Sequence, residues 1–137
     1  MNHTQVGDVT EVRFALYCME RNVPICKPMN NNLPYDYIIQ VKDRLLRVQV
    51  KTGYDNNTEN GFMFNTRSTS KNYNECTTKD YVGLIDGFIV WYKELPNKFY
   101  YIPIEEASSG CMNMYYGENP RSNQNYVNDY DFDAVLM

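Results

Sequence analysis

Three side chains within residues 33 to 53, LPYDYIIQVKDRLLRVQVKTG, are of types that could do chemistry together: the carboxylate of Asp36, the amide of Gln49 and the ammonium of Lys51. A carboxylate and an amide oxygen can hold a hard, oxygen-seeking ion such as magnesium. An ammonium two residues along the same face can lower the pKa of an attacking water or stabilise a pentavalent phosphate. Those are the parts needed to hydrolyse a phosphodiester without histidine. The plainer account is that two half-buried strands each show polar residues to solvent.

The lone histidine, His3, narrows the choice. Nucleophilic triads, histidine-metal nucleases and zinc hydrolases each need a placed imidazole, and this one stands in a terminus expected to fray. Carboxylate and amine chemistry with a divalent ion remains. Cys18, Cys26, Cys76 and Cys111 form no Cys-x-x-Cys pair and have no histidines at zinc spacing, so they are read as reduced, mostly buried thiols.

The elements that must position these groups follow from the apolar pattern. YDYIIQV reads as a strand, KDR as a turn and LLRVQVK as a second strand, with Leu46, Val48 and Val50 on one face and Arg47, Gln49 and Lys51 on the other. An antiparallel hairpin puts the start of the first strand beside the end of the second, which brings Asp36 to Gln49 and Lys51. Upstream, GDVTEVRFALYCMERN reads as a helix capped by Asp8 or Thr10, with Val9, Val12, Leu16 and Met19 facing the core and Glu11 beside that stripe. VPICKP reads as a short strand, and GFIVWY and FYYIPI as an antiparallel pair around KELPNK. From Glu105 onward the chain is polar, with NPRSNQN as a loop and DYDFDAVLM as a poor, acid-rich end.

A chain of 137 residues fits one domain, 1–137, and this order of elements predicts an α/β or α+β fold with a central mixed sheet. The net charge of -4 argues against a surface coated with positive potential, though not against a local basic face. With no apolar leader segment and no run long enough for a membrane span, a cytoplasmic protein is expected. The Asn-x-Thr sequons at Asn2 and Asn56 then carry no meaning for glycosylation.

The pattern resembles the PD-(D/E)XK nuclease superfamily: PYD at Pro34 to Asp36 and QVK at Gln49 to Lys51 stand where that superfamily carries an acid at the start of one strand and an acid-x-Lys triplet on the next. The stretches GDVTE, RVQVKTG, NTRSTSK, IDGFIVWYKELPNKFYYIPIEE and NQNYVNDYD extend the likeness over nearly the whole chain, toward small intron-encoded homing endonucleases and Holliday-junction-resolvase-like proteins. The resemblance implies a restriction-endonuclease-like core with helices flanking the sheet. It implies a magnesium-dependent cut in double-stranded DNA, with Mn2+ able to substitute, made by a homodimer or homotetramer. Asp36 would ligate the metal, Gln49 would complete the coordination or position the water, Lys51 would orient or activate that water and stabilise the transition state, and Glu11 would be a second ligand or a group supporting the ligands, the alternative being an ordinary acid in the first turns of the helix. Gln49 departs from the pattern, which has an acid there, so a weaker metal site or an inactive DNA-binding descendant is an alternative. A junction resolvase or repair nuclease is another.

For DNA contacts, Arg67, Ser68 and Lys71, with Thr69 and Ser70 between them, offer phosphate donors, joined by Arg47 and Arg121, with Lys27, Lys42 and Arg44 as further candidates. NPRSNQN holds side chains of the kind that read guanine and adenine edges. VGLIDGF resembles the LAGLIDADG motif, but lacks two residues after Asp86 and is followed at once by a strand-like run, so Asp86 is read as the start of a strand.

Overall fold

The computed structural model describes residues 1–67 and 81–137. Helix α1 spans His3–Glu20. It starts a turn or more before the caps expected at Asp8 or Thr10, because Asn2 accepts the Gln5 amide N–H and the Gln5 side chain accepts the Asn2 N–H in return. His3 therefore opens a capped helix rather than a frayed end.

The face that α1 buries is not the expected one. Thr10, Phe14, Tyr17 and Cys18 are buried, while Val9, Val12, Leu16 and Met19 are 37%, 67%, 54% and 60% exposed. Two apolar stripes run along this helix, and the stripe carrying the larger rings packs inward. Phe14 lies 5.3 and 5.4 Å from the ring centroids of Phe99 and Phe132, and Tyr17 lies 4.9 Å from Phe99.

The main sheet has the order β1-β2-β3-β6-β7, with β1 at Ile25–Cys26, β2 at Tyr37–Val41, β3 at Arg44–Thr52, β6 at Gly87–Trp91 and β7 at Tyr100–Pro103. It is mixed, as expected: β3 and β6 run parallel and the other neighbours antiparallel. In the β2–β3 hairpin Val41 pairs with Arg44, so the turn is Lys42 and Asp43 alone, with Lys42 at a φ of 57°, and Arg44 belongs to the strand. A second antiparallel sheet, ordered β4-β5-β8, consists of β4 at Tyr54–Asp55, β5 at Gly61–Asn65 and β8 at Cys111–Tyr115.

Alternation along β3 divides the core between two layers. Leu46 and Val48 are buried against α1, with Val50 packed beside them. Phe88, Val90 and Ile102 face the second sheet, where Phe62, Phe64, Met112 and Met114 meet them. The carboxy-terminal end is more than an acidic tail: helix α2, Phe132–Leu136, buries Phe132 completely, and Asp133 accepts the Tyr17 hydroxyl at 2.6 Å. The thiols are mixed rather than mostly buried, with Cys18 buried, Cys111 half-buried and Cys26 exposed at the sheet edge; Cys76 lies outside the described residues. Among the described residues no helix is long and apolar enough to cross a membrane.

Candidate active site

Asp36 stands one residue before β2 and is bonded into β3 from both its backbone and its side chain. Its N–H donates to the Val48 carbonyl at 2.9 Å, and its Oδ2 accepts the Val50 N–H at 2.7 Å. The carboxylate is thus fixed to the backbone between Gln49 and Lys51. Its second oxygen accepts no hydrogen bond among the described residues. Gln49 and Lys51 pair in register with Phe88 and Val90 of β6, so both side chains lie on the face of the sheet turned toward β5 and β8. The Lys51 ammonium donates to the Arg67 carbonyl at 3.0 Å and lies 6.0 Å from the Phe88 ring centroid. Its other two N–H donors bond nothing among the described residues.

Glu11 reaches the site from the opposite layer. Two side-chain bonds pin this turn of α1, and each comes from a residue adjacent to a site residue. The Tyr37 hydroxyl donates to the Glu11 carbonyl at 3.0 Å, and Thr10 and Thr52 share a hydroxyl hydrogen bond of 2.6 Å. Thr10 also donates to the Val6 carbonyl at 3.0 Å, which leaves Thr52 as the donor to Thr10. Tyr37 and Thr52 were not picked out from the sequence, and Thr10 only as a cap for the helix. The signal was present in the alternation of the strands, since a residue next to Asp36 or Lys51 on a strand must face the helix.

Burial shifts the proton affinities of the three ionisable groups at this end of the hairpin. Burial pushes Glu11 up to about 7, with the Asp36 charge adding to the rise and Lys27 opposing it. Burial also raises Asp36, against the Val50 N–H and the charges of Lys51 and Lys27. Lys51 is pulled down to about 8 by burial, with Asp36 holding it up. Gln49 Oε1 is a buried acceptor with no hydrogen-bond partner among the described residues, which proteins rarely leave so. Two carboxylates that resist ionisation and one orphaned amide oxygen fit a hard divalent ion. Among the described residues no three His, Cys, Asp or Glu side chains form such a set by themselves. An open groove of about 1010 Å3 runs beside Lys51, lined in part by His3, Val50, Thr52, Tyr54 and Asn65.

The basic residues are distributed unevenly around this site. Lys27, exposed just after β1, is close enough for its charge to act on both carboxylates. Arg67 is exposed, its backbone tied to Lys51 and its side chain laid over Gly110, where a Cβ would approach the guanidinium to 3.0 Å. Arg47 bonds Asp86 at 3.2 and 3.3 Å and the Gly83 carbonyl at 3.0 Å, so its charge is balanced internally. Asp86 does stand at the start of β6, joining it to β3 through Arg47. Lys42 and Arg44 occupy the far end of the hairpin, away from Asp36. Arg121 is exposed in its loop, where Gln124 accepts its N–H within the loop and the Asn125 amide donates to the Asn113 carbonyl of β8. Ser68, Thr69, Ser70 and Lys71 lie outside the described residues.

A mixed sheet with a carboxylate at the start of one strand, a lysine-bearing partner strand and a helical glutamate defines a restriction-endonuclease-like fold. A family model for PD-(D/E)XK endonucleases matches residues 1–133, and the chain belongs to that family. Among solved structures it is similar to the bacterial homing endonuclease I-Ssp6803I, with a TM-score of 0.71 and 20% sequence identity over 99% of this chain and 93% of that one. A likeness at that identity shows the fold. No curated protein matches the chain in sequence.

Proposed function

We propose that this protein is a magnesium-dependent endonuclease that cuts double-stranded DNA at a specific site, and that it acts as the homing endonuclease of a mobile intron. The observation that carries the reading is the buried Oε1 of Gln49, without a partner among the described residues, beside Asp36, whose carboxyl and that of Glu11 are both held above their ordinary range. Asp36, Glu11 and Gln49 would hold the metal, and Mn2+ could take the place of Mg2+. A divalent ion bound there supplies charge neutralisation at the phosphate and polarises water.

The remaining work falls to the chain itself. Lys51, anchored by one N–H, turns its other donors toward the phosphate or the attacking water, and its ammonium balances charge that develops at the phosphorus oxygens. The lowered Lys51 value keeps that proton loosely held, suited to exchange with water. The Val50 N–H fixes which carboxylate oxygen of Asp36 is turned away from the ligand. Arg67, whose carbonyl is bonded by Lys51, and Lys27, whose charge acts on both carboxylates, are exposed and would steer and hold the backbone phosphates. A single site cuts one strand, so a double-strand break calls for two copies related by a two-fold axis.

Homing is favoured over junction resolution by the likeness to a homing endonuclease along almost the full length of both chains. The test is a cleavage assay on genomic DNA carrying intronless insertion sites and on a synthetic four-way junction, with magnesium or chelator, with Lys51→Ala as control. Discrete double-strand cuts that need magnesium and vanish in the variant are expected. Selective cutting of the junction would move the assignment to a resolvase, and metal-independent binding without cutting would mark Gln49 as the trace of a lost site.

A further inference from the structure

The outer face of the second sheet carries an ordered set of amides. Phe62 and Phe64 of β5 and Met112 and Met114 of β8 turn inward, so Met63 and Asn113 turn outward, paired in register with one another and with Tyr54 of β4. Asn113, Asn56, Asn123, Gln124 and Asn125 line a hollow of about 340 Å3 on this side. Hydrogen bonds set the orientation of each amide in turn. Asn56 Oδ1 accepts the Thr58 N–H at 3.0 Å, so its Nδ2 is the atom that donates to Asn113 Oδ1, also at 3.0 Å. The Asn113 Nδ2 then bonds nothing among the described residues. Asn125 Nδ2 donates to the Asn113 carbonyl at 2.8 Å, which leaves its Oδ1 as an acceptor. Gln124 Oε1 accepts the Arg121 N–H at 2.8 Å, which leaves its Nε2 as a donor. Two donors and an acceptor, each held by its other end, therefore line one hollow.

We propose, building on the double-stranded DNA reading above, that this hollow is where the nuclease reads sequence: Asn113, Gln124 and Asn125 hydrogen-bond base edges in the major groove, an adenine among them. An amide donor beside an amide acceptor is the pattern that meets the N7 and N6–H2 of adenine. Charge selects a base over a phosphate, since Glu59 is the one charged side chain among the described lining residues and would repel an anion. Cation for the flanking phosphate stands at the rim instead. Lys51 donates to the Arg67 carbonyl, the Arg67 guanidinium lies over Gly110, and the next residue, Cys111, lines the hollow. Tyr54 and Asn65, which share the outer face of this sheet, also line the groove beside Lys51. Asn113 is two strands from Tyr54, about 10 Å, well inside one duplex turn of about 34 Å, so one duplex spans both places. β5 and β8 form an antiparallel two-stranded ribbon, of the width that the major groove admits.

Isosteric acids test this without disturbing the scaffold, because each keeps the oxygen that its internal bond needs. Asn113→Asp still accepts from Asn56, and Gln124→Glu still accepts the Arg121 N–H, while the donor turned toward the ligand becomes an acceptor. The assay is repeated selection of bound duplexes from a randomised pool, in magnesium and on the Lys51→Ala background, so that binding is read apart from cutting. Thermal unfolding alongside should find both variants folded as the parent is. The parent should enrich one sequence. Each acid variant should lose about tenfold or more in affinity for that sequence and enrich one altered at a single base pair, the remainder kept. Arg67→Ala should weaken binding to all duplexes alike and enrich the parent's sequence, as a phosphate contact does. Acid variants that enrich the parent's sequence, or that lose affinity equally for every duplex, would overturn the base-reading role and leave the nuclease reading standing. A parent that enriches no sequence would overturn it together with the site-specific reading.

Discussion

Asp36→Asn separates charge from shape at the centre of the site. The amide oxygen can still accept the Val50 N–H that now bonds Oδ2 at 2.7 Å, so the hairpin keeps its register. Exchanging a charge-assisted bond for a neutral one costs about 1 kcal/mol. Burial already disfavours the Asp36 carboxylate, so its neutralisation returns a similar amount, and the metal-free melting temperature should move by no more than about 3 °C. Metal binding should respond differently. At one hundred times the dissociation constant a ligand stabilises the folded state by about 2.7 kcal/mol, which for a domain of this size raises the melting temperature by about 8 to 13 °C. In Asp36→Asn that rise should be nearly abolished, because one of two carboxylates is gone and the amide at Gln49 cannot supply the charge. The assay is thermal unfolding with and without magnesium, calcium or manganese, at concentrations set by titration of the wild-type chain. A variant that keeps the full metal-induced rise would refute Asp36 as a ligand, and with it the assignment of this end of the hairpin as the metal site.

Lys51→Ala should lower the cleavage rate by about 10^2 to 10^3 while leaving the metal-induced thermal shift in place, since the ammonium acts on the reacting phosphate and not on the metal. Tyr37→Phe removes the hydroxyl that holds the Glu11 carbonyl and should cost about 1 kcal/mol in chemical denaturation, with weaker metal binding. Metal affinity should climb as pH rises through about 7, where Glu11 loses its proton. In metal-free protein the opposite trend is expected: the folded state holds that proton more tightly than the unfolded chain, so stability falls between pH 4.5 and about 7, as melts across that range would show. Arg67→Ala should reduce the slope of log affinity against log salt by about 1 without altering the metal-induced shift, as a binding titration at several salt concentrations would show.

The hairpin was legible in the sequence because strand alternation has a period of two and leaves little choice of face. Asp36, Gln49 and Lys51 meet where that pattern required. The helix was less legible. Apolar residues on α1 satisfy a helical repeat on two sides, and only the fit of the Phe14 and Tyr17 rings among Phe99 and Phe132 decides which side is inside. The same limit hid Phe132, an aromatic set among aspartates whose burial depends on a pocket made by residues more than a hundred positions earlier. β8 was missed because CMNMY alternates only weakly and pairs with a strand far from it in sequence. Arg47 was read as a DNA contact from its charge, yet that charge faces Asp86, a partner brought close only by the parallel pairing of β3 with β6.

The two-residue turn at Lys42 and Asp43 acts at a distance. It sets which backbone N–H meets Asp36, and therefore which face of β3 carries Gln49 and Lys51. One residue added to this turn, with pairing re-formed beyond it, would slide the strand by a single step and exchange its two faces. Lys51 would then point into the aromatic layer beneath α1 and a valine would stand in the cleft, with every side chain still present. The tolerance of this chain to change should therefore be uneven: substitutions at Lys42 and Asp43 are mild, whereas a change in their number would silence a site at the other end of the hairpin.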